Sequence, residues 1–228
     1  MKPKLWRCIL SIAGFLPESG VIVDAGANDG CTAEALALEF ANHTVLAVEP
    51  TKTNVAAIKR RKRLHGLVNL EVVRGGLGAR ASVATYGASL DTGVSKQYSD
   101  RLAFQAEQRR DAVQVPFKLS TIDALLEGRP LVLAHLDVEG AEEEALLGGA
   151  ESIRKYRPLI TAESFPISRP GPWRSLMALF WTIGYDAYEV PERCGLDNCR
   201  NSLAIPTEWR LALPKECLCT SCDNPGPA

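Results

Sequence analysis

The chain has 228 residues, 46% of them hydrophobic, with 26 lysines and arginines against 27 acids and a formal charge of −1. That length and apolar content support one sizeable core and require no second domain. The near-zero charge excludes a global field that recruits nucleic acid or an anionic membrane, so a partner must be recognised locally.

In chain order, MKPKLWRCILSIAGFLPESG comes first, with Leu5, Ile9, Ile12 and Leu16 three or four positions apart. That spacing predicts an amphipathic helix over residues 1–20 that leads into the domain. Its basic start and short apolar run also suit a signal peptide, but no small-residue cleavage site follows. No stretch is apolar for long enough to span a bilayer.

VIVDAG at 21, TVLAVEP at 44, LEVVRG at 70, LVLAHLDVEG at 131 and PLITAE at 158 read as strands. CTAEALALEF, NVAAIKRRKRLHG, EEEALLGGAESIRKY and SLMALFWTIG read as helices that follow four of them. Strands apolar throughout and joined by helices predict an α/β fold in a single domain over residues 21–213, with a mostly parallel, doubly wound sheet covered on both faces. AVQVPFKL at 112 belongs near an edge, because Pro116 cannot donate to a ladder. DAYEV at 186 and SLAIP at 202 are the last strand candidates.

Residues 79–111 are weakly patterned and suit an insertion over the active face, and residues 214–228 read as a loose tail containing cysteines. Cys194, Cys199, Cys217, Cys219 and Cys222 crowd the C-terminal region as CGLDNC and CLCTSC. Zinc binding, disulfide pairing and neither all remain open for them.

The first strand ends in VIVDAGANDG. In a doubly wound sheet, ligands bind beyond the carboxyl ends of the strands, where strand order reverses. A dinucleotide turn reads G-x-G-x-x-G, whereas this one reads D-x-G-x-x-x-G and lacks the middle glycine that lets backbone approach phosphate. Asp24 at the mouth of the turn repels a diphosphate and suits a ligand bearing ammonium or sulfonium. Glu49 ends the second strand, where an acid accepts ribose hydroxyls. The ligand with an amino-acid end, a positive sulfur and an unphosphorylated ribose is S-adenosylmethionine. The bland readings are a turn or cap acid for Asp24 and a solvated strand end for Glu49.

VIVDAGANDG, then VLAVEP with Asn54 following, VPFKLSTIDALL, LVLAHLDVEGAEEEALLGGAE and RPLITAE together resemble the FkbM-type family of S-adenosylmethionine-dependent methyltransferases over roughly residues 20–165. The resemblance implies a Rossmann-like class I methyltransferase fold and O-methylation of a hydroxyl on a sugar, polyketide or other small metabolite. It places Asp24, Gly26, Ala27, Asn28 and Gly30 in the turn at the methionine end, Glu49 and Pro50 at the ribose, and Asp137 and Glu139 at the exit of the fourth strand of the βα series. Family members usually carry lysine where this chain has His135.

His135, Asp137 and Glu139, with Glu163 on the next strand, are the candidates for the acceptor side. A general base, structural hydrogen bonding and a divalent cation held by oxygen ligands are the three roles open to them, and no metal is assigned. His43 and His65 suit capping positions, and KRRKR reads as a solvated helix face. The expected partner is a small-molecule acceptor, with no nucleic acid and no membrane. The rival functions are a nicotinamide-dependent oxidoreductase, which the turn argues against, and a Rossmann-like protein that only binds ligand or partner. Acceptor identity, oligomeric state and compartment stay open, the cytoplasm being favoured.

Overall fold

In the computed structural model, which describes residues 4–88, 96–98, 113–164, 170–194 and 197–212, the predicted βα alternation is present. Helix α1 (Lys4–Ser11) precedes β1 (Gly20–Ala25), α2 (Cys31–Glu39), β2 (His43–Glu49), α3 (Lys52–Leu64) and β3 (Leu70–Arg74). The later half runs through β8 (Leu131–Leu136), α5 (Glu142–Leu147), α6 (Ala150–Tyr156), β9 (Leu159–Ser164), α7 (Pro170–Thr182), β10 (Tyr185–Cys194) and β11 (Asp197–Pro206). Between these halves lie β4 (Gly76–Leu77), β5 (Ser82–Ala88), β6 (Lys96–Tyr98), β7 (Val113–Ser120) and α4 (Ile122–Leu126).

The main sheet has seven strands in the order β10-β11-β9-β8-β1-β2-β3. β9, β8, β1, β2 and β3 are parallel, and β11 runs antiparallel to both its neighbours. The chain leaves β1 toward β2, then returns to the other side of β1 with β8, so strand order reverses between β1 and β8. Both strands are almost wholly buried, which explains their uninterrupted apolar sequence.

Two cores cover the two faces. On one, Ile122, Leu146, Ile153, Met177 and Phe180 of α4 to α7 pack on Val21, Val23, Ala134, Leu136 and Ile160. On the other, Leu5, Cys8 and Ile9 of α1, with Leu36 of α2 and Ile58 of α3, pack on Ile22, Ala47, Leu133, Leu159 and Leu203. The N-terminal periodicity therefore reports a docked amphipathic helix, although α1 ends before the buried Ile12 and a short 3-10 turn follows.

Two local expectations differ from the structure. EEEALLGGAESIRKY reads as one helix but forms two, divided at Gly148 and Gly149. Gly148 lies so close to Gly78 that an added Cβ would sit 2.1 Å from its carbonyl oxygen. AVQVPFKL joins a separate four-stranded sheet, β4-β7-β5-β6, and not the edge of the main sheet. Within it, β4 pairs with β7 only at Leu119 and Ser120, so Pro116 has a ladder partner on the β5 side alone, as its missing N–H requires. Most of residues 79–111 and the whole of the tail 214–228 lie outside the described residues.

Candidate active site

β1 delivers Asp24 to the switch point, where its register partners are Ala47 on β2 and His135 on β8. Side chains alternate along a strand, so Asp24, Glu49, His135, Thr161 and Glu163 all project on the face shared with Ile22, Ala47, Leu133 and Leu159. They form a polar band at the carboxyl ends of the strands, above that apolar layer. The sequence places Asp24 and Glu49 together by motif, and the sheet sets Asp24 between His135 on β8 and the strand β2 that carries Glu49.

Asp24 is 1% exposed, and its Oδ2 has no hydrogen-bond partner among the described residues. Burial pushes its carboxyl up to about 6; the charge of His135 pulls it back, while Asp137 and Glu49 add to the rise. An ionised buried oxygen without a partner is costly unless a ligand supplies one.

After Asp24 the chain enters a left-handed turn, with Gly26 at φ 78°, Asn28 at φ 50° and Gly30 at φ 88°. The Gly26 and Ala27 amides donate to the Val48 carbonyl, and the Gly30 amide donates to that of Ala27. A Cβ on Gly26 would sit 1.8 Å from the Asp137 carbonyl oxygen, and one on Gly30 would sit 2.9 Å from Ile58 Cγ1. Both glycines therefore answer to space as well as to dihedral angle.

Glu49 is buried and heavily engaged. Its Oε1 accepts from the Thr51 amide (2.9 Å), the Thr51 hydroxyl (2.7 Å) and Asn54 Nδ2 (3.3 Å), and its Oε2 accepts from the Asn28 amide (3.0 Å). Remaining acceptor capacity thus lies on Oε2, enough for one ribose hydroxyl where the sequence suggests both. Asn54 Nδ2 also donates to Asn28 Oδ1 at 3.0 Å and so ties the first turn of α3 to the glycine turn. Pro50, which follows Glu49, is buried.

On the other side of Asp24, His135 Nδ1 lies 2.7 Å from Thr161 Oγ1, and its Nε2 makes no hydrogen bond among the described residues. Asp137 is exposed just beyond β8, its amide continuing the ladder to the Ala25 carbonyl. Glu163 hydrogen-bonds Asp137, and burial together with the charges of Asp137 and Glu139 raises its carboxyl to about 8. Glu139 does not continue the alternation from His135 and Asp137: at φ 55° it sits in a left-handed turn. Among the described residues, no group of acids, cysteines and histidines has the arrangement of a metal site.

Thr51, Thr161 and Arg61 escape the sequence reading. Thr51 had a legible signal, because its hydroxyl accepts the Asn54 amide as an N-cap three residues ahead of it. Arg61, read as part of a solvated helix face, instead donates to the Asp29 carbonyl and carboxylate and to Glu34, tying the glycine turn and α2 to α3. Lys59, Arg60 and Arg63 of the same run are exposed, and Cys31 beside the turn is a free, exposed thiol.

Residues 24–190 match the family model described as the methyltransferase FkbM domain. No curated protein matches the chain. Among solved structures, the methyltransferase FkbM from Methylobacillus flagellatus KT aligns with a TM-score of 0.57 at 17% identity over 85% of this chain. The alignment takes in 47% of that protein, so the chain spans about half its length. An rRNA methylase from Streptococcus thermophilus aligns with a TM-score of 0.54 at 11% identity, over 90% of this chain and 98% of its own. The N-terminal domain of human METTL16 in complex with SAH aligns at 0.52 and 11% identity, over 89% of this chain and 68% of its own. At these identities the three structures share the Rossmann-like methyltransferase fold.

Proposed function

The chain belongs to the methyltransferase FkbM domain family, and from that premise we propose that it transfers the methyl group of S-adenosylmethionine to a hydroxyl of a small metabolite or sugar. The observation that carries this reading is the buried Asp24, whose Oδ2 has no hydrogen-bond partner among the described residues, an anionic acceptor at the switch point in need of a cationic donor. Asp24 would take the ammonium end, the turn through Gly26, Ala27, Asn28 and Gly30 would follow the methionine backbone, and Glu49 Oε2 with Pro50 would border the ribose. The residues fit this group better than a dinucleotide, because Asn28 stands where the diphosphate fingerprint needs glycine and two carboxylates face the cleft.

When bound, S-adenosylmethionine supplies a methyl group on a positively charged sulfur, the electrophile for an attacking oxygen. The protein's share is positioning, which supplies up to about 7–11 kcal/mol in well-aligned reactions, and removal of the acceptor's proton, which contributes about 10²–10⁴-fold. Asp137 is already engaged by Glu163 through a side-chain hydrogen bond. His135 is therefore the first candidate for the base, oriented through Nδ1 by Thr161 with Nε2 left to receive the proton. Asp137 and Glu139 are the next candidates.

Titration calorimetry with S-adenosylmethionine and with NAD is the first test. Binding of the former alone supports the reading, and binding of NAD alone returns the oxidoreductase. Incubation of the protein with methyl-labelled cofactor and a cell extract then identifies the acceptor. Label in an oxygen-bound methyl of a small product is the expected result, whereas label in RNA or protein would overturn the acceptor class.

A further inference from the structure

The DVEGAE segment after β8 contains an acid that the proposed chemistry does not use. Glu142 opens α5 and is 5% exposed, too enclosed to reach an acceptor. Its Oε1 accepts the Val138 amide at 3.1 Å and the Gly140 amide at 3.1 Å. Those two amides flank Glu139, whose φ of 55° lies in the left-handed region that non-glycine residues rarely occupy, and Gly140 continues at φ 103°. Such a conformation persists only where its surroundings over-determine it. One carboxylate oxygen that grips the backbone on both sides of Glu139 does that.

The clamped turn is also the wall of the cofactor loop. The Asp137 carbonyl, immediately before the first clamped amide, occupies the space where a Gly26 Cβ would stand, and the Asp137 amide donates to Ala25 at 2.9 Å. The end of β1 and the glycine turn are thus seated on the chain that Glu142 holds. From this geometry we infer that Glu142 is a positioning residue, which fixes the Asp137–Gly140 turn through two backbone hydrogen bonds and thereby sets the affinity for S-adenosylmethionine. The inference rests on the cofactor reading above. Burial raises the Glu142 carboxyl to about 7, and because both amides are accepted by Oε1 alone, glutamine offers the same acceptor without the charge.

The test compares Glu142→Ala, Glu142→Gln and Glu142→Asp with the unmodified protein, reading S-adenosylmethionine affinity by calorimetry, melting temperature, and amide exchange at Val138 and Gly140. Glutamine keeps an oxygen that can accept both amides, so affinity should stay within about threefold of the unmodified protein and both amides should remain protected. Alanine should weaken binding about tenfold or more, which is about 1.4 kcal/mol, and release both amides. Aspartate, one methylene short, should fall on the alanine side and replaces it as the readout if the alanine variant does not fold. A merely structural role lowers the melting temperature of Glu142→Ala but leaves affinity unchanged well below the transition, and that outcome would overturn the inference. Loss of affinity in Glu142→Gln equal to that of the alanine or aspartate variant would also overturn it. If the unmodified protein binds no S-adenosylmethionine, the cofactor reading fails and the affinity claim with it, while exchange at the two amides still reports separately whether the clamp exists.

Discussion

Asp24 holds its charge in a setting that opposes it, and that conflict makes its role measurable. Burial holds its carboxyl near 6, so a cation bound at Oδ2 has to draw the proton off below that pH. Affinity for S-adenosylmethionine should therefore strengthen from about pH 5 to about pH 7 and level off above. Asp24→Asn should abolish this dependence and weaken binding by about 1.5–3 kcal/mol, the scale of a hydrogen bond to a charged group. Calorimetry across the range checks both, and the same pH dependence in the variant would remove Asp24 from the site. His135 is the second residue to test. His135→Ala should lower turnover about 10²–10⁴-fold and remove one ionisation from the pH–rate profile of a folded variant. Because His135 lowers the Asp24 carboxyl through its charge, the same variant should shift the pH dependence of cofactor binding upward. An unaltered rate profile would transfer the base role to Asp137 or Glu139.

At the scale of elements, the glycine turn after β1 is where β2, α3 and the chain after β8 converge. Its glycines rest on the chain after β8 and on α3, and Arg61 reaches across from α3 to Asp29. Gly26→Ala forces a side-chain atom toward the Asp137 carbonyl and demands a positive φ of alanine. We predict that it abolishes measurable S-adenosylmethionine binding and lowers the melting temperature, both readable without an acceptor; retained affinity would mean that the turn does not seat the cofactor. The KRRKR run shows how an element can mislead when read alone. Helical periodicity puts Arg61 on a surface, yet the chain that folds over that surface from β1 turns it into a bridge, leaving Lys59, Arg60 and Arg63 as the exposed part.

For the whole molecule, three carboxyls lie above their ordinary range for one main reason, burial: Asp24 at about 6, Glu142 at about 7 and Glu163 at about 8. Between the ordinary carboxyl values and about pH 8, the folded state thus binds more protons than the unfolded chain. Stability of the ligand-free protein should fall as pH rises through that window, giving a higher melting temperature near pH 5 than near pH 8. Glu163→Gln and Glu142→Gln should flatten the decline, and saturating S-adenosylmethionine should offset the part due to Asp24. A melting temperature that rises across the window would show that these groups are not buried as the fold places them.

The amino-acid sequence by itself determined the βα alternation, the position of the glycine turn after β1 and the acids that close β1 and β2. Strands buried on both faces leave uninterrupted apolar runs, and the end of such a run marks where polar side chains emerge. His135 and Glu163 were legible for the same reason. The tertiary structure alone decided that Thr161 hydrogen-bonds His135, that Glu142 grips the turn carrying Glu139, that Arg61 is tied to the glycine turn after β1 and that β7 lies in a second sheet. Each of these depends on strand register or on packing between segments remote in sequence, and local periodicity carries no record of which distant partner a side chain or a backbone amide will meet.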